Sequence, residues 1–149
     1  MKRYKIIALC VFVFICLVSC GDDSDLLSKM MINQPVLDWG ASMDEIASQM
    51  QEYELIKSDS QNLYYAGIGM EHAISYSFVN GQLETCLVTV NSCVITEDAL
   101  VALLKTYTFL GEYNNVKVYC RESTSTLAAI SKHQISGTDY YYYIGYSRI

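Results

Sequence analysis

The sequence predicts an α+β fold: two helix-strand-hairpin repeats that form an antiparallel sheet with helices on one face. Three observations carry this expectation. Residues 42–56 and 96–110 align at an offset of 54, with apolar residues coinciding at Ile46/Leu100, Ala47/Val101, Met50/Leu104, Tyr53/Tyr107, Leu55/Phe109 and Ile56/Leu110. Each copy opens on a helix-capping residue, Ser42 or Thr96, and Glu45 completes a capping box in the first. Alternating segments follow, and between two of them stands Asn80-Gly81, the dipeptide suited to a two-residue type I′ hairpin turn.

At the N-terminus, Lys2, Arg3 and Lys5 precede thirteen uncharged, mostly apolar residues, Ile6 to Val18. As a helix this run would span only about 20 Å, short of the ~30 Å hydrocarbon core that a membrane anchor must cross. Leu17 is too large for the small-residue site that ordinary signal peptidase requires if the cut precedes Cys20. Leu17, Val18, Ser19 and Cys20 resemble the lipobox of bacterial lipoproteins. That resemblance implies cleavage before Cys20 and a diacylglycerol plus an N-acyl chain, palmitate being typical, on its sulfur and amine. It makes 1–19 the signal peptide and Cys20 the lipidation site, with no other cofactor.

Gly21 rather than Asp after the cysteine resembles signals permissive for the outer membrane. Asp22, Asp23 and Asp25 resemble the acidic export signal of surface-exposed lipoproteins, so the expected location is the outer membrane, lipid-anchored, and either exposed at the surface or, if the acidic stretch is only a solvated linker, facing the periplasm. Loss of residues 1–19 leaves 7 basic against 16 acidic residues, a net charge of −9 compared with −6 for the whole chain. Such a chain repels phosphate backbones, which excludes nucleic acid as a partner and leaves the lipid to hold the membrane.

Residues 20–34 are polar and acidic without periodicity, a flexible tether, and 35–149 is long enough for one domain. The repeats cover about 42–91 and 96–149. In the first, the helix is followed by a strand at 62–66 and a hairpin of 73–79 and 82–90. Across its turn Phe78 is expected to face Leu83, Tyr76 to face Thr85 and Ile74 to face Leu87 on the core side. Ser75, Ser77, Gln82, Glu84 and Cys86 then fall on the other side. In the second, the matching strands are 116–120, 125–131 and 139–147, with Gly137 in the turn.

This element order resembles the tandem-repeat architecture of the beta-lactamase inhibitor protein family and, less closely, small outer-membrane assembly lipoproteins. The lead-in Trp39, Gly40 and Ser42 is similar to one found in small bacterial lipoprotein domains. Neither resemblance carries over a binding motif.

Of the six cysteines, Cys10 and Cys16 leave with the signal and Cys20 is acylated. A bridge between Cys93 and Cys120, which should lie at the same end of the sheet, stands against the alternative of three free thiols. His72 and His133 are the only histidines, and neither has metal-ligand spacing or a cysteine nearby in sequence. Asp44, Glu45, Glu97 and Asp98 suit the first turns of helices. No catalytic or metal residues are therefore assigned.

Thirteen tyrosines occur. In the run 140–146, Tyr140, Tyr142, Ile144 and Tyr146 share one face of a strand and Tyr141 and Tyr143 the other. Tyr64, Tyr119, Tyr141 and Tyr143 are the candidate exposed aromatic surface. The expected function is a non-catalytic, lipid-anchored envelope module that binds another protein, or a carbohydrate, through the open face of its sheet. The alternatives are a structural outer-membrane assembly component and a small envelope hydrolase.

Overall fold

A computed structural model describes residues 32–91, 95–137 and 139–149. The signal segment, Cys20, the tether up to residue 31 and Cys93 lie outside the described residues. The order is α1 (Met43–Gln49), β1 (Leu55–Ser58), β2 (Asn62–Ala66), β3 (Glu71–Val79), β4 (Gln82–Asn91), α2 (Glu97–Leu103), β5 (Thr108–Tyr113), β6 (Val116–Arg121), a short 3₁₀ turn (Glu122–Thr124), β7 (Thr126–Ser136) and β8 (Asp139–Arg148).

All eight strands form one antiparallel sheet in the order β1-β2-β3-β4-β8-β7-β6-β5. Each half is a four-strand meander, and the two meet where β4 pairs with β8. This corrects the expected α+β class: the fold is β-rich, a single large sheet with, among the described residues, two helices of seven residues each. The physical reason lies at the helix ends. Ser42 and Thr96 cap the starts as expected, Ser42 with the reciprocal Glu45 bond, but the helices stop at Met50 and Leu104. The apolar pairs Leu55/Ile56 and Phe109/Leu110, which continue the helical pattern in sequence, are instead taken into the edge strands β1 and β5. Inter-strand pairing suits those branched and aromatic side chains better than two further exposed helical turns.

Asn80 and Gly81 adopt the positive φ of a type I′ turn, as do Asn114 and Asn115 between β5 and β6. The core lies on one side of the sheet. Tyr65, Ile74, Val88, Ile144 and Ile130 form one buried row, and Leu63, Tyr76, Cys86, Tyr146, Ala128 and Tyr119 the next. Ile46 and Met50 from the first helical turn region and Leu100 and Leu104 from the second join this cluster.

The expected facing of β4 holds only next to the turn. Phe78 does pair with Leu83, but Tyr76 pairs with Cys86 rather than Thr85, and Ile74 with Val88 rather than Leu87. The register shifts between Ser77 and Phe78, which leaves Glu84 as an unpaired bulge residue. One extra residue sends every later side chain to the opposite face. Cys86 is therefore 1 % exposed, while Leu87 is 38 % exposed on the outer side.

The lead-in ties the halves together. Trp39 Nε1 donates to Thr126 Oγ1 at 2.8 Å, Gly40 N–H donates to the Leu83 carbonyl, and Leu83 N–H donates to Ala41. Ordered packing begins inside the segment read as tether, since Ile32 is buried and Asn33 N–H donates to Glu71 Oε1 at 2.7 Å.

Candidate binding face of the sheet

Strand alternation gives the side opposite the core three adjacent rows, each running across seven strands from β2 to β5. The middle row is Tyr64, Ser75, Leu87, Gly145, Ala129, Val118 and Gly111. On one side of it run Asn62, Ser77, Thr85, Ser147, Leu127, Cys120 and Thr108, and on the other Ala66, Ala73, Thr89, Tyr143, Ser131, Val116 and Tyr113. No position in these rows carries Asp, Glu, Lys or Arg. In a chain with 16 acidic residues, the charge has been kept out of these rows, and Lys57 of the edge strand β1 pairs with Tyr64 at the end of the middle one.

At its centre the side chains shrink. Gly145 and Ala129 lie between Leu87 and Val118, so the middle row reads large, small, small, large. The result is an open hollow of about 400 Å³, lined in addition by Thr85, Leu127 and Ser147. That volume is at the lower end of what small-ligand pockets offer and ample for one large side chain. A Cβ built on Gly145 would meet only Leu87 Cδ1, at 4.0 Å, so the hollow exists because of the missing side chain, not because of backbone conformation. Glycine within a strand interior is the sequence signal that could have found it.

The predicted surface residues divide. Tyr64 lies on this face at the β2 end, with Lys57 Nζ 5.8 Å from its ring. Tyr141 and Tyr143 lie on the same face of β8, but three strand spacings, about 14 Å, separate them from Tyr64. Tyr119 does not belong to the surface and is corrected here. It pairs with Ala128 and Phe109 on the core side and is 6 % exposed, because it has the opposite parity in β6 to Val118 and Cys120.

Both histidines join the tyrosines, an approach that nothing local in the chain announces. His72 is the bulge residue between Glu71 and Ala73 in β3, and its ring reaches to 5.1 Å from Tyr141. His133, paired with Tyr141 across β7 and β8, lies 5.9 Å from the Tyr143 ring.

Two thiols, Cys86 and Cys120, lie among the described residues. Burial pushes the Cys86 thiol up, so it stays protonated and shielded in the core. Cys120 is a half-buried free thiol in the row of Leu127, six residues along β7 from His133, or about 20 Å. Its expected partner Cys93 lies outside the described residues. Among the described residues, no group of three or more His, Cys, Asp or Glu could hold a metal ion. The hollow is suited to contact, with hydroxyl groups, apolar walls and no fixed charge in its lining.

Comparison with protein-family models, with curated proteins and with solved structures returned no match to this chain.

Proposed function

We propose that this chain is a lipid-anchored envelope protein of the outer membrane, exposed at the surface, that binds another protein through the open face of its sheet. The anchor rests on Leu17, Val18, Ser19 and Cys20 and the acidic stretch after them, with the acyl groups on Cys20 as the only non-protein component. The binding role rests on one observation, the charge-free rows around the hollow. Interface cores are depleted of charge and organised around a pocket that receives an anchor side chain, and the Gly145/Ala129 hollow with its Leu87, Val118 and Leu127 walls has that form.

The test uses Gly145→Leu, which fills the hollow from a position where the added atoms meet little. Envelope proteins captured on the wild-type chain should be lost at least tenfold on this variant and retained on Glu52→Lys, a change away from the face. Equal capture by wild type and Gly145→Leu would refute the site. Separately, Cys20→Ala should abolish incorporation of labelled palmitate, and undiminished labelling would refute the anchor.

A further inference from the structure

The hollow leaves the tyrosine end of the same face without an assigned task. There, Tyr141 and Tyr143 stand two residues apart on β8, about 7 Å along the strand. His72 approaches Tyr141 from β3 at 5.1 Å with the rings tilted 39°, and His133 approaches Tyr143 from β7 at 5.9 Å, tilted 59°. Two ring pairs thus stand side by side over four neighbouring strands, β3, β4, β8 and β7. Between them the register places Thr89 and Asn91 on β4 and Ser131 on β7, beside Tyr143, Tyr141 and Tyr143 respectively. The band therefore combines ring faces with hydroxyl, amide and imidazole groups, and the fixed charge next to it on β8 is the carboxylate of Asp139, which lines a cavity with Asn91 and Tyr141.

We propose that this band is a binding platform for a neutral oligosaccharide. A pyranose ring presents one face of C–H bonds, which packs on an aromatic ring, and an edge of hydroxyls, which exchange hydrogen bonds with uncharged polar side chains. Two stacking rings about one sugar length apart, each flanked by such groups, match consecutive residues of a glycan chain. A phosphorylated or uronate-rich glycan is disfavoured, because the band has no Lys or Arg to pair with it, Asp139 stands beside Tyr141, and the chain as a whole is net negative. An apolar peptide finds its pocket at Gly145 instead, in the neighbouring rows. The platform does not depend on the protein-binding reading of the hollow, and the two are separable by mutation.

The experiment is affinity electrophoresis of the full lipidated chain in detergent through native gels containing laminarin, amylopectin, xyloglucan, galactomannan or dextran, with polygalacturonate as the acidic comparison. At least one neutral polysaccharide should retard the wild type. Tyr141→Ala and Tyr143→Ala should each weaken that retardation at least tenfold, Tyr141→Phe should keep it, and Gly145→Leu should leave it unchanged. Circular dichroism melts confirm that each variant folds. No retardation by any neutral polysaccharide, retardation by polygalacturonate alone, or retardation that survives both alanine substitutions would overturn the proposal. Loss of a captured protein from Tyr141→Ala without any glycan binding would likewise overturn it and assign the band to the protein interface.

Discussion

Deleting Glu84 should leave this protein folded, whereas deleting Leu87, three residues along the same strand, should come close to unfolding it. Glu84 is the unpaired residue of the β4 bulge, with Leu83 paired to Phe78 before it and Thr85 paired to Ser77 after it. Its removal turns the bulge into regular pairing and keeps Cys86, Val88 and Val90 facing the core, so the expected change is within about 1 kcal/mol. Removal of Leu87 instead shifts Val88 and Val90, both 0 % exposed, to the outer face and brings Thr89 into the core. Exposing two buried valines forfeits about 1.5–3 kcal/mol each, some 3–6 kcal/mol together, against a total of about 5–15 kcal/mol for a domain. Urea unfolding of the chain from Gly21, followed by circular dichroism, measures both. With an m-value of about 2 kcal/mol per molar, the Leu87 deletion should lower the midpoint by roughly 2 M and the Glu84 deletion by well under 1 M. Equal losses from the two deletions would show that the bulge does not set the facing of β4.

Glu71 supplies a pH-dependent prediction. Burial raises its carboxyl above the ordinary 4.5, while Asn33 N–H and the Tyr53 hydroxyl donate to it. The folded chain therefore holds this proton at pH values where the unfolded chain has released it. The stability contributed by the group is fully present below pH 4.5 and falls as pH rises through the folded value. Glu71→Gln cannot titrate, so its stability relative to wild type should increase from pH 4.5 upward in parallel urea titrations; a constant difference would refute this. Gly67 packs against the Glu71 backbone so closely that a Cβ would overlap the Glu71 carbonyl oxygen. Gly67→Ala should cost about 1–3 kcal/mol in the same assay, and an unchanged midpoint would show that the loop moves aside freely.

Much of this architecture was legible from local chemistry. The Ser42 and Thr96 caps, the Asn80-Gly81 turn and the 54-residue offset depend on neighbours in sequence, and the chain honours all three. The offset even reaches the edge irregularities, since Ile56 in β1 and Leu110 in β5 are each skipped where the register shifts. What depended on distant partners was misjudged. Nothing near Leu55 or Phe109 announces that these residues leave the helix for an edge strand, and nothing near Glu84 announces a bulge. Tyr119 reads as readily outward as inward until its pairing with Ala128 is known. The hollow required Leu87, Gly145, Ala129 and Val118 from four different strands to be placed in one row, information held only by the assembled sheet.

The seam between the halves has a consequence for how the protein is made. The strands that join there, β4 and β8, are each the last of their own meander. During synthesis the first meander waits with the β4 edge bare until the last strand of the second has been delivered. A premature stop ahead of Asp139 would strand both meanders without their mate, leaving Val88 and Val90 of one and Ile130 of the other without the cover that Tyr142 and Ile144 provide. Such fragments carry the bare strand edges and uncovered apolar residues that chaperones and proteases recognise, and β8 decides which fate a molecule meets.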